Sequence, residues 1–540
     1  MADAATGSII AQVLARAGAP PLFTLNGGHI WALYAGALEQ GLRLIDVRHE
    51  QTAGFAAEGW ARLTRGVGVA AVTAGPGVTN TISPLAQARQ NDSPLLVIGG
   101  RAPMARWGMG SLQELDQLPI VSSLTKSART LESAERAQEL AEEAVRMALT
   151  PRTGPTFLDV PLDVFLSVGD VETGADLGPA PGAAPDPSEV ERALALLSGA
   201  ARPALVAGNG VWWSGAEQEL RRLAEALDAP VVLNGMARGM LPPHHRLFAS
   251  RARSRALGGA DVILVAGAEL DFRLGFGQPP LFPEDAQVIY VDTDDRHKHR
   301  RPGAALYGDV RLALRALADG LGTTRRDPEW SAGIAAAAAQ AAERDAALAA
   351  SAGSPVHPAR LVAEVGRAVA DDAILVGDGG DFVSFAGRLL HRSRPGLWLD
   401  PGPYGCLGAG PGYALAAKVL HPDRQVILLS GDGAFGFAGM EFDTFLRHRL
   451  PVVCVIGNDG IWALEKHPME DMMGTSIVTD LRPGTRYDEV VRALGGHGEL
   501  VRTAEEIGPA VRRALDSGLP ACVNVLCDPD ARYPRSAQLA

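Results

Sequence analysis

The last third of the sequence contains two apolar runs, and each ends in a short turn of glycine, aspartate or asparagine. Residues 426–430 lead into Gly-Asp-Gly at 431–433, and residues 451–456 lead, after one glycine, into Asn-Asp-Gly at 458–460. Such runs predict buried strands. Two parallel strands that end side by side place a carboxylate and a second oxygen ligand in one crevice, and a helix predicted within 437–447 points its N-terminus at it. The arrangement suits a hard cation that holds a diphosphate.

Strands alternate with helices along the whole chain, which predicts an α/β fold with parallel sheets covered on both faces. The 540 residues are too many for one core. We predict three doubly wound parallel-sheet domains, at 1–168, 190–322 and 357–535. A linker rich in Gly, Ala, Pro and Asp spans 169–187, and an alanine-rich helix at 334–350 is predicted to be a surface spacer.

Composition narrows the possible partners and compartments. The formal net charge of −12 and the absence of a long basic stretch in the sequence argue against nucleic acid. The sequence contains no apolar run of membrane-spanning length, and its start does not read as a secretory signal. We therefore expect a cytoplasmic protein that does not bind a membrane. Its four cysteines are widely spaced and predict free thiols rather than a disulfide framework or a zinc site.

The two turns resemble the signature of thiamine-diphosphate (ThDP) enzymes: Gly-Asp-Gly, about two dozen residues, then Asn-Asn. The resemblance implies ThDP bound through Mg²⁺, whose ligands would be Asp432, the Asn458 side chain and the Gly460 carbonyl. The departure is Gly457, which stands where the family has its first Asn. A register shifted by one would make Asp459 the ligand and add a negative charge beside the diphosphate, so we favour Asn458. Further cofactor contacts are expected at Gly431, Gly433, Ala434 and Ile461.

ThDP chemistry also needs a carboxylic acid. The cofactor's own 4′-amino group, in its imino form, removes the thiazolium C2 proton, and an acid bonded to the pyrimidine N1′ promotes that tautomer. A short strand ending at residues 46–50 delivers Glu50 to the start of a helix rich in small residues. We predict that Glu50 is this catalytic acid. The loop 73–80, which reads Thr-Ala-Gly-Pro-Gly-Val-Thr-Asn, is expected to add cofactor contacts at Gly75, Pro76 and Asn80.

A bulky apolar side chain must also hold the cofactor bent, so that its amino group reaches C2. The glycine-rich run 405–412 offers one large side chain among small ones, Leu407. Glycines let a backbone approach a ligand closely, which favours Leu407 as this wedge. Gly405 would then present its carbonyl to the 4′-amino group.

The order of these motifs covers nearly the whole chain and looks like the pyruvate-oxidase and acetolactate-synthase branch of ThDP enzymes. In that branch the chain runs from a pyrimidine-binding domain through a middle domain to a diphosphate-binding domain. The active site lies between the first domain of one subunit and the last domain of its partner. The resemblance therefore implies a homodimer, or a homotetramer built from dimers.

Three segments, at 111–117, 252–257 and 267–277, resemble 2-hydroxyacyl-CoA lyases and oxalyl-CoA decarboxylases. Gln113 points to the lyases, although acetolactate synthases also have Gln at this place. We therefore predict a ThDP- and Mg²⁺-dependent 2-hydroxyacyl-CoA lyase that cleaves the C1–C2 bond reversibly, giving formyl-CoA and an aldehyde or ketone. The same relatives suggest ADP in the middle domain, with Asp292 or Asp294 near its ribose.

Several polar side chains are candidates for contact with a CoA thioester substrate or for catalysis. Gln113 and His29 are predicted to act in catalysis, and Gln113 also to touch the substrate. Guanidinium groups suit phosphate, so arginines would meet the anionic part of CoA or of a nucleotide. A histidine and a glutamate near the C-terminus could close over the CoA arm. These further candidates are Arg253, Arg255, Arg273, His467 and Glu499.

Three alternatives stay open. The first is an acetolactate-synthase-like carboligase that acts on 2-oxo acids such as pyruvate without CoA. The second is an enzyme like oxalyl-CoA decarboxylase. The third is a catalytically silent protein of the same fold that serves as a binding or regulatory subunit, which Glu50 disfavours because such a protein would have no need of this acid.

Overall fold

The first part of the chain builds a six-stranded parallel sheet from short apolar strands. The computed structural model describes residues 2–171, 174, 177–179, 181–296, 298–324, 327 and 329–534. The strands here are β1 (Ala2–Ala5), β2 (Leu22–Thr24), β3 (Leu44–Asp46), β4 (Gly68–Val72), β5 (Leu95–Arg101), β6 (Ser127–Thr130), β7 (Thr156–Pro161) and β8 (Val168–Val171). The helices are α1 (Thr6–Arg16), α2 (Trp31–Glu39), α3 (Glu50–Thr64), α4 (Pro76–Thr79), α5 (Ile82–Gln90), α6 (Leu118–Val121), α7 (Ala137–Leu149) and α8 (Leu162–Phe165).

The order of this first sheet is β3-β2-β4-β5-β7-β6, and all its pairs are parallel. Every residue of β2, β4 and β7 is buried. Sheets covered by helices on both faces need such continuous apolar strands, because neither face meets water. The predicted linker from residue 169 is partly wrong, since β8 pairs antiparallel with β1 and Ala4 lies opposite Gly169.

The middle part of the chain forms a separate five-stranded sheet. Its strands are β9 (Pro203–Ala207), β10 (Val231–Leu233), β11 (Val262–Ala266), β12 (Gln287–Asp292) and β13 (Ala304–Tyr307), in the parallel order β10-β9-β11-β12-β13. Its helices are α9 (Pro187–Gly199), α10 (Asn209–Trp213), α11 (Glu217–Leu227), α12 (Arg253–Gly258), α13 (Val310–Gly320) and α14 (Trp330–Ala349).

Helix α14 is the predicted alanine-rich spacer. One of its faces is buried against the middle sheet, which we did not expect. Ile334 is 2% exposed, and Trp330 and Ala338 pack against the apolar core of the middle sheet. The Trp330 indole N–H donates to the Pro203 carbonyl at 2.8 Å. The small side chains therefore let the helix lie close to this core, and the description as a mere surface spacer is wrong.

The last part of the chain repeats the parallel architecture. Its strands are β14 (Ile374–Asp378), β15 (Trp398–Leu399), β16 (Val426–Gly431), β17 (Val453–Asn458), β18 (His497–Val501) and β19 (Ala521–Leu526), in the order β15-β14-β16-β17-β19-β18. Its helices are α15 (Pro358–Ala368), α16 (Asp381–Leu389), α17 (Ala409–Leu420), α18 (Asp432–Ala438), α19 (Phe442–Arg447), α20 (Ala463–Met473), α21 (Tyr487–Leu494) and α22 (Ala504–Asp516). The fold prediction of three parallel-sheet α/β domains is confirmed, while the predicted domain boundaries stay predictions.

Contacts group the chain into two compact units. The first contains residues 1–180, 354–384 and 399–532, and therefore both six-stranded sheets. The second contains residues 181–353, 385–398 and 533–540. No helix among the described residues is long and apolar enough to cross a membrane. The four cysteines are free, as predicted.

Within the first unit, a buried polar network joins α3 to α17. The Glu58 carboxylate accepts the Tyr413 hydroxyl at 2.7 Å, the Gln87 amide at 3.1 Å and the Asn91 amide at 2.8 Å. Arg62 donates to the Tyr413 oxygen at 3.1 Å. None of these five side chains is more than 2% exposed. Because a buried charge without partners is costly, the network strongly favours one packing of α3 on α17.

We expect Tyr413→Phe to lower the free energy of unfolding by about 1–3 kcal/mol. The change removes a buried hydroxyl that bonds to Glu58, Gln87 and Arg62. Tyr290→Phe is a matched control, since Tyr290 is also buried but its hydroxyl donates to one carbonyl, that of Arg300. Thermal unfolding should show a larger fall in Tm for Tyr413→Phe; equal falls would contradict the role of the network.

Candidate active site

The predicted cation-binding turns lie at one edge of the last sheet. Strands β16 and β17 pair in register, with Gly431 opposite Gly457, so both turns emerge together. Asp432 is 2% exposed and begins α18. Its Oδ1 accepts the Gly433 N–H at 2.9 Å, and its Oδ2 accepts the Gly460 N–H at 3.0 Å. Burial raises the pKa of Asp432 to about 6, because burial disfavours the charged form.

The helix that follows this turn differs in detail from the prediction within 437–447. Helix α18 begins at Asp432, directly after the strand, and a short 3₁₀ turn at Gly439–Glu441 separates it from α19. Ala434 is buried on α18. A Cβ added to Gly433 would come within 2.4 Å of the Trp462 ring, so this position requires glycine.

Asn458 carries an oxygen that the protein leaves unused. Its Nδ2 donates to the Thr485 carbonyl and to Asn524 Oδ1, each at 3.0 Å. Because both of these atoms accept, the orientation of the amide is fixed. Its Oδ1 is buried and has no hydrogen-bond partner among the described residues. Buried polar atoms are nearly always satisfied, so this orphaned oxygen fits a cation ligand.

The other candidate ligands of the predicted cation site already accept hydrogen bonds from the protein. The Gly460 carbonyl accepts the Leu481 N–H at 2.8 Å, which leaves it one further lone pair. Asp459 Oδ1 accepts the N–H of buried Ile461 at 3.1 Å. Burial, and then the charge of Asp432, raise the pKa of Asp459 to about 7. In these two turns the buried side-chain oxygen without a partner in the described part of the chain is Asn458 Oδ1. This favours the register that we predicted, and the ligand set stays a prediction.

The donor set suits Mg²⁺ better than a transition metal. The described part of the chain contains no cluster of three His, Cys, Asp or Glu side chains that could hold a metal. The site instead offers the Asp432 carboxylate, the Asn458 amide oxygen and a backbone carbonyl. Hard cations prefer such oxygen ligands, and Mg²⁺ also takes oxygens from a bound phosphate. The residues present therefore fit a Mg²⁺-diphosphate group.

The Gly457 departure has a steric cause that the sequence pattern does not reveal. A Cβ at this position would lie 2.7 Å from Phe382 Cδ2, well inside van der Waals contact. Phe382 is 6% exposed and belongs to α16. Its ring covers Gly457, so the loss of the first Asn follows from the aromatic residue opposite.

Glu50 lies at the first position of α3, as predicted. His49 caps the helix, with its Nδ1 accepting the Gln51 N–H at 3.1 Å. Glu50 is 8% exposed, and its Oε2 accepts the Asn80 amide at 2.9 Å. The loop 73–80 therefore orients the predicted catalytic acid through Asn80.

The same loop gathers His29 and Gln113. The Thr73 hydroxyl donates to Gln113 Oε1 at 3.2 Å, and His29 Nδ1 lies 3.1 Å from that hydroxyl oxygen. Burial lowers the pKa of His29, opposed by a hydrogen bond to the Leu112 backbone. At neutral pH the ring is therefore neutral.

Gln113 is held in a strained backbone conformation. Its φ is +59°, which non-glycine residues seldom adopt and which clusters at functional sites. Gly75 packs against it, since a Cβ on Gly75 would lie 2.8 Å from the Gln113 carbonyl. The Gly75 N–H donates to buried Gln117 at 2.7 Å, and Pro76 then begins α4. The sequence motifs do not reveal that Thr73 and Gln117 support this loop.

The glycine-rich run places Leu407 two residues before the start of α17, with Gly408 as the N-cap. Leu407 is half-buried, while Gly405 is exposed with φ +72° and Gly408 has φ +79°. These two glycines supply the left-handed backbone that the turn needs. The roles of Leu407 and Gly405 toward the cofactor stay predictions.

The three arginines predicted to bind the CoA substrate do not form one common binding site. Arg253 donates to the Arg273 carbonyl at 3.0 Å, and the Arg273 guanidinium forms an ion pair with Asp271 at 2.6 Å. Arg255 is exposed and lines an open groove together with Trp330. Arg253 and Arg273 therefore support each other locally, whereas Arg255 belongs to a different surface.

His467 and Glu499 have contacts within the protein. His467 is 8% exposed, and its Nε2 lies 2.9 Å from the Pro529 carbonyl. Glu499 accepts from Arg513 at 2.5 Å and from His497 at 2.8 Å. These contacts of His467 and Glu499 hold neighbouring parts of the fold together.

The carboxylates proposed for the ADP ribose are also occupied. Asp292 is buried and forms an ion pair with Lys298 at 2.8 Å, while its other oxygen accepts the Thr293 N–H at 2.8 Å. Asp294 accepts the Arg296 N–H at 3.0 Å. The ADP site stays a prediction.

Comparison with known protein families matches all three parts of the chain. Residues 5–120 match the thiamine pyrophosphate enzyme N-terminal TPP binding domain, residues 190–317 the central domain and residues 378–525 the C-terminal TPP binding domain. Thiamine pyrophosphate (TPP) is another name for ThDP. Both predicted halves of the cofactor site thus fall within TPP binding domains.

Similar individual proteins carry two different names. The chain is 52% identical over 538 residues to the probable acetolactate synthase of Mycobacterium bovis and to acetolactate synthase large subunit IlvG of Mycobacterium tuberculosis. These alignments cover 99% of the chain and 98% of each relative. The 2-hydroxyacyl-CoA lyase 2 of Homo sapiens is 34% identical over 572 residues, covering 96% of the chain and 89% of the relative.

The lyase prediction is wrong, because the far more similar relatives are acetolactate synthases. It rested on the resemblance of the segments 111–117, 252–257 and 267–277 and on Gln113. Acetolactate synthases also have Gln at this place, so that residue does not separate the two activities. With the lyase, the CoA thioester substrate and its formyl-CoA product are also withdrawn.

We expect Gly457→Ala to destabilise the first unit by about 1–3 kcal/mol, because the added methyl group overlaps the Phe382 ring. Gly436→Ala is a matched control, since a Cβ there meets no atom within 4 Å. Combining Gly457→Ala with Phe382→Ala should restore part of the loss. Thermal unfolding of Gly457→Ala, Phe382→Ala, their double variant and Gly436→Ala measures this coupling; strictly additive effects of the first two changes would contradict the steric explanation.

We also expect Mg²⁺ affinity to fall as the pH is lowered. The pKa of Asp432 is raised to about 6, so its carboxylate is charged above that value and protonated below it. A cation ligand must be deprotonated, and affinity should fall about tenfold per pH unit well below this pKa. Calorimetric titration of Mg²⁺ in the presence of ThDP checks this, with circular dichroism to confirm that the fold persists. A constant affinity from about pH 8 to about pH 5 would contradict it.

Proposed function

The chain belongs to the thiamine pyrophosphate enzyme family, and we propose that within this family it is an acetolactate-synthase-like carboligase that acts on 2-oxo acids. The observation that carries the proposal is the 52% identity to mycobacterial acetolactate synthases over 99% of the chain. In the simplest reaction, one pyruvate loses its carboxyl group as CO₂. The remaining two-carbon unit forms a new C–C bond to the carbonyl carbon of a second pyruvate, which gives acetolactate.

The proposed cofactor arrangement uses the two strand-end turns. Mg²⁺ would be held by the Asp432 carboxylate, the unused Asn458 Oδ1 and the Gly460 carbonyl. The N–H groups at the start of α18 face the same crevice and favour an anion. Bound ThDP supplies the nucleophilic carbon and the electron sink. The protein supplies orientation and a site from which water is excluded.

Glu50 would hold a proton at the pyrimidine N1′. Its burial at the start of α3 keeps water from competing for that hydrogen bond, and Asn80 occupies one carboxylate oxygen. The other oxygen, Oε1, is then the natural partner for the cofactor.

Gln113 and His29 would bind the 2-oxo acid. Thr73 uses Gln113 Oε1, which leaves the Nε2 hydrogens of Gln113 to donate to a carboxylate or carbonyl oxygen. Burial lowers the pKa of His29, so the ring is neutral at pH 7. One of its ring nitrogens can then donate a hydrogen bond and the other can accept one.

Further features of the assembly are proposals of the same kind. A homodimer or homotetramer with shared active sites and a cytoplasmic location follow from the family resemblance. ADP in the middle domain would have to bind beside Asp292, whose carboxylate forms an ion pair with Lys298.

Glu50→Gln should lower kcat for acetolactate formation by about a hundredfold or more, since it removes the acid proton. The substituted amide keeps an oxygen that can accept from Asn80, so the fold and ThDP binding should persist. The assay measures acetolactate formed from pyruvate with ThDP and Mg²⁺.

A 2-hydroxyacyl-CoA offered in place of pyruvate is the control substrate for the wild-type enzyme. Formyl-CoA as the main product, with pyruvate unused, would overturn the carboligase proposal. No turnover of either substrate would favour a regulatory subunit. Undiminished activity of Glu50→Gln would contradict the role of this acid.

A further inference from the structure

The peptide N–H groups on both sides of Leu407 are held by buried side chains. Gln87 Oε1 accepts the Cys406 N–H at 3.1 Å. Asp378 Oδ1 accepts the Gly408 N–H at 3.1 Å, and its Oδ2 accepts the Gly410 N–H at 2.9 Å. Nothing in the sequence motifs assigns a role to Gln87 or Asp378.

Neither acceptor is free to move. Gln87 is 0% exposed and Asp378 is 1% exposed. The Gln87 amide nitrogen donates to Glu58 at 3.1 Å and to the Tyr413 hydroxyl oxygen at 2.7 Å, which leaves its oxygen facing Cys406. Asp378 ends β14 and meets the first turn of α17, so the helix and the sheet fix it together.

The turn at residues 405–408, which carries Leu407, has few packing contacts at Gly405. A Cβ added to Gly405 would meet no atom within 4 Å, and Gly405 is exposed. Left-handed backbone at Gly405 and Gly408 gives the turn conformational freedom. The position of Leu407 between them therefore depends on the hydrogen bonds to its neighbours.

Gln87 also connects the loop to the helix that begins with Glu50. Its partner Glu58 lies on the same helix, α3, two turns after Glu50. One amide group thus fixes the backbone before Leu407 to the helix of the catalytic acid. The contact joins residues 319 positions apart in the sequence.

We propose that Gln87 and Asp378 are positioning residues that hold the Leu407 wedge against the bound cofactor. The proposal rests on ThDP binding at this site but not on the identity of the substrate. Losing either acceptor should let the loop carrying Leu407 relax, so that the cofactor is bent less firmly. Cofactor binding through the turn at Asp432 should be affected much less.

The first experiment compares Gln87→Met with Ser93→Ala. Met fills a similar volume but does not accept the Cys406 N–H, whereas Ser93→Ala removes a hydrogen bond to the same Glu58 without touching the loop. In the cofactor-free protein, amide hydrogen exchange at Cys406 should be about tenfold faster in Gln87→Met. Ser93→Ala should leave it unchanged.

The second measurement uses the holoenzyme without substrate. The rate at which the C2 proton of bound ThDP exchanges with deuterium, followed by NMR after acid quenching, reports how well the cofactor is bent. Gln87→Met should slow this exchange about tenfold, with ThDP affinity changed less than about threefold. Because no substrate is present, the result is independent of whether pyruvate is the substrate.

Leu407→Ala separates positioning from a merely structural role. If Gln87 acts through Leu407, the double variant should exchange the C2 proton no more slowly than Leu407→Ala alone. Multiplicative slowing, or unchanged exchange in Gln87→Met, would overturn the proposal. If Gln87→Met does not fold, Asp378→Leu, which removes both acceptor oxygens, serves in its place. The Gly408 amide is then the reporter, and the same double variant with Leu407→Ala is used.

Discussion

The buried carboxylate of Glu58 is the interaction on which the first unit depends most. It sits between α3 and α17 and satisfies its charge with Tyr413, Gln87 and Asn91. Removing one partner of a buried charge is costly, about 3–5 kcal/mol when the charge is left without compensation. The two helices are therefore fixed in one relative position. The same packing positions the start of α3, at Glu50, and the turn that carries Leu407 within one chain.

A second constraint acts at the sheet edge where β16 and β17 end. Their register puts two turns side by side, and the protein satisfies the Asp432 carboxylate with backbone N–H groups. The buried Asn458 Oδ1 has no hydrogen-bond partner among the described residues. A structure that leaves one polar atom unsatisfied beside a buried carboxylate is prepared for a cation. The chemistry of the family then follows from the cation and the diphosphate that it holds.

Much of the fold is accessible from the sequence, because parallel strands buried on both faces are continuous apolar runs bounded by turns. The apolar pattern predicts strands at 22–25, 69–73 and 156–160, and β2, β4 and β7 lie there with ends that differ by one residue. It does not predict β8, because the exposed edge of this strand has no apolar pattern. The spacer interpretation of helix α14 is wrong for a similar reason: alanine gives no periodic signal, although Ile334 and Trp330 bury one face. The predicted activity is wrong because Gln113 occurs in both branches.

The sequence by itself determined where the chemistry lies, because the motifs are short and each sits at a strand end. Glu50, Asp432 and Asn458 could be named from their spacing and the family resemblance. Only the tertiary structure decided what holds them: Asn80 for Glu50, Phe382 for Gly457, and Gln87 for the backbone before Leu407. The physical reason is that alternation and helical period are local properties of a chain. The partner of a buried polar group is instead chosen by packing between segments that are distant in the sequence, 30 residues apart for Glu50 and Asn80 and 319 for Gln87 and Cys406.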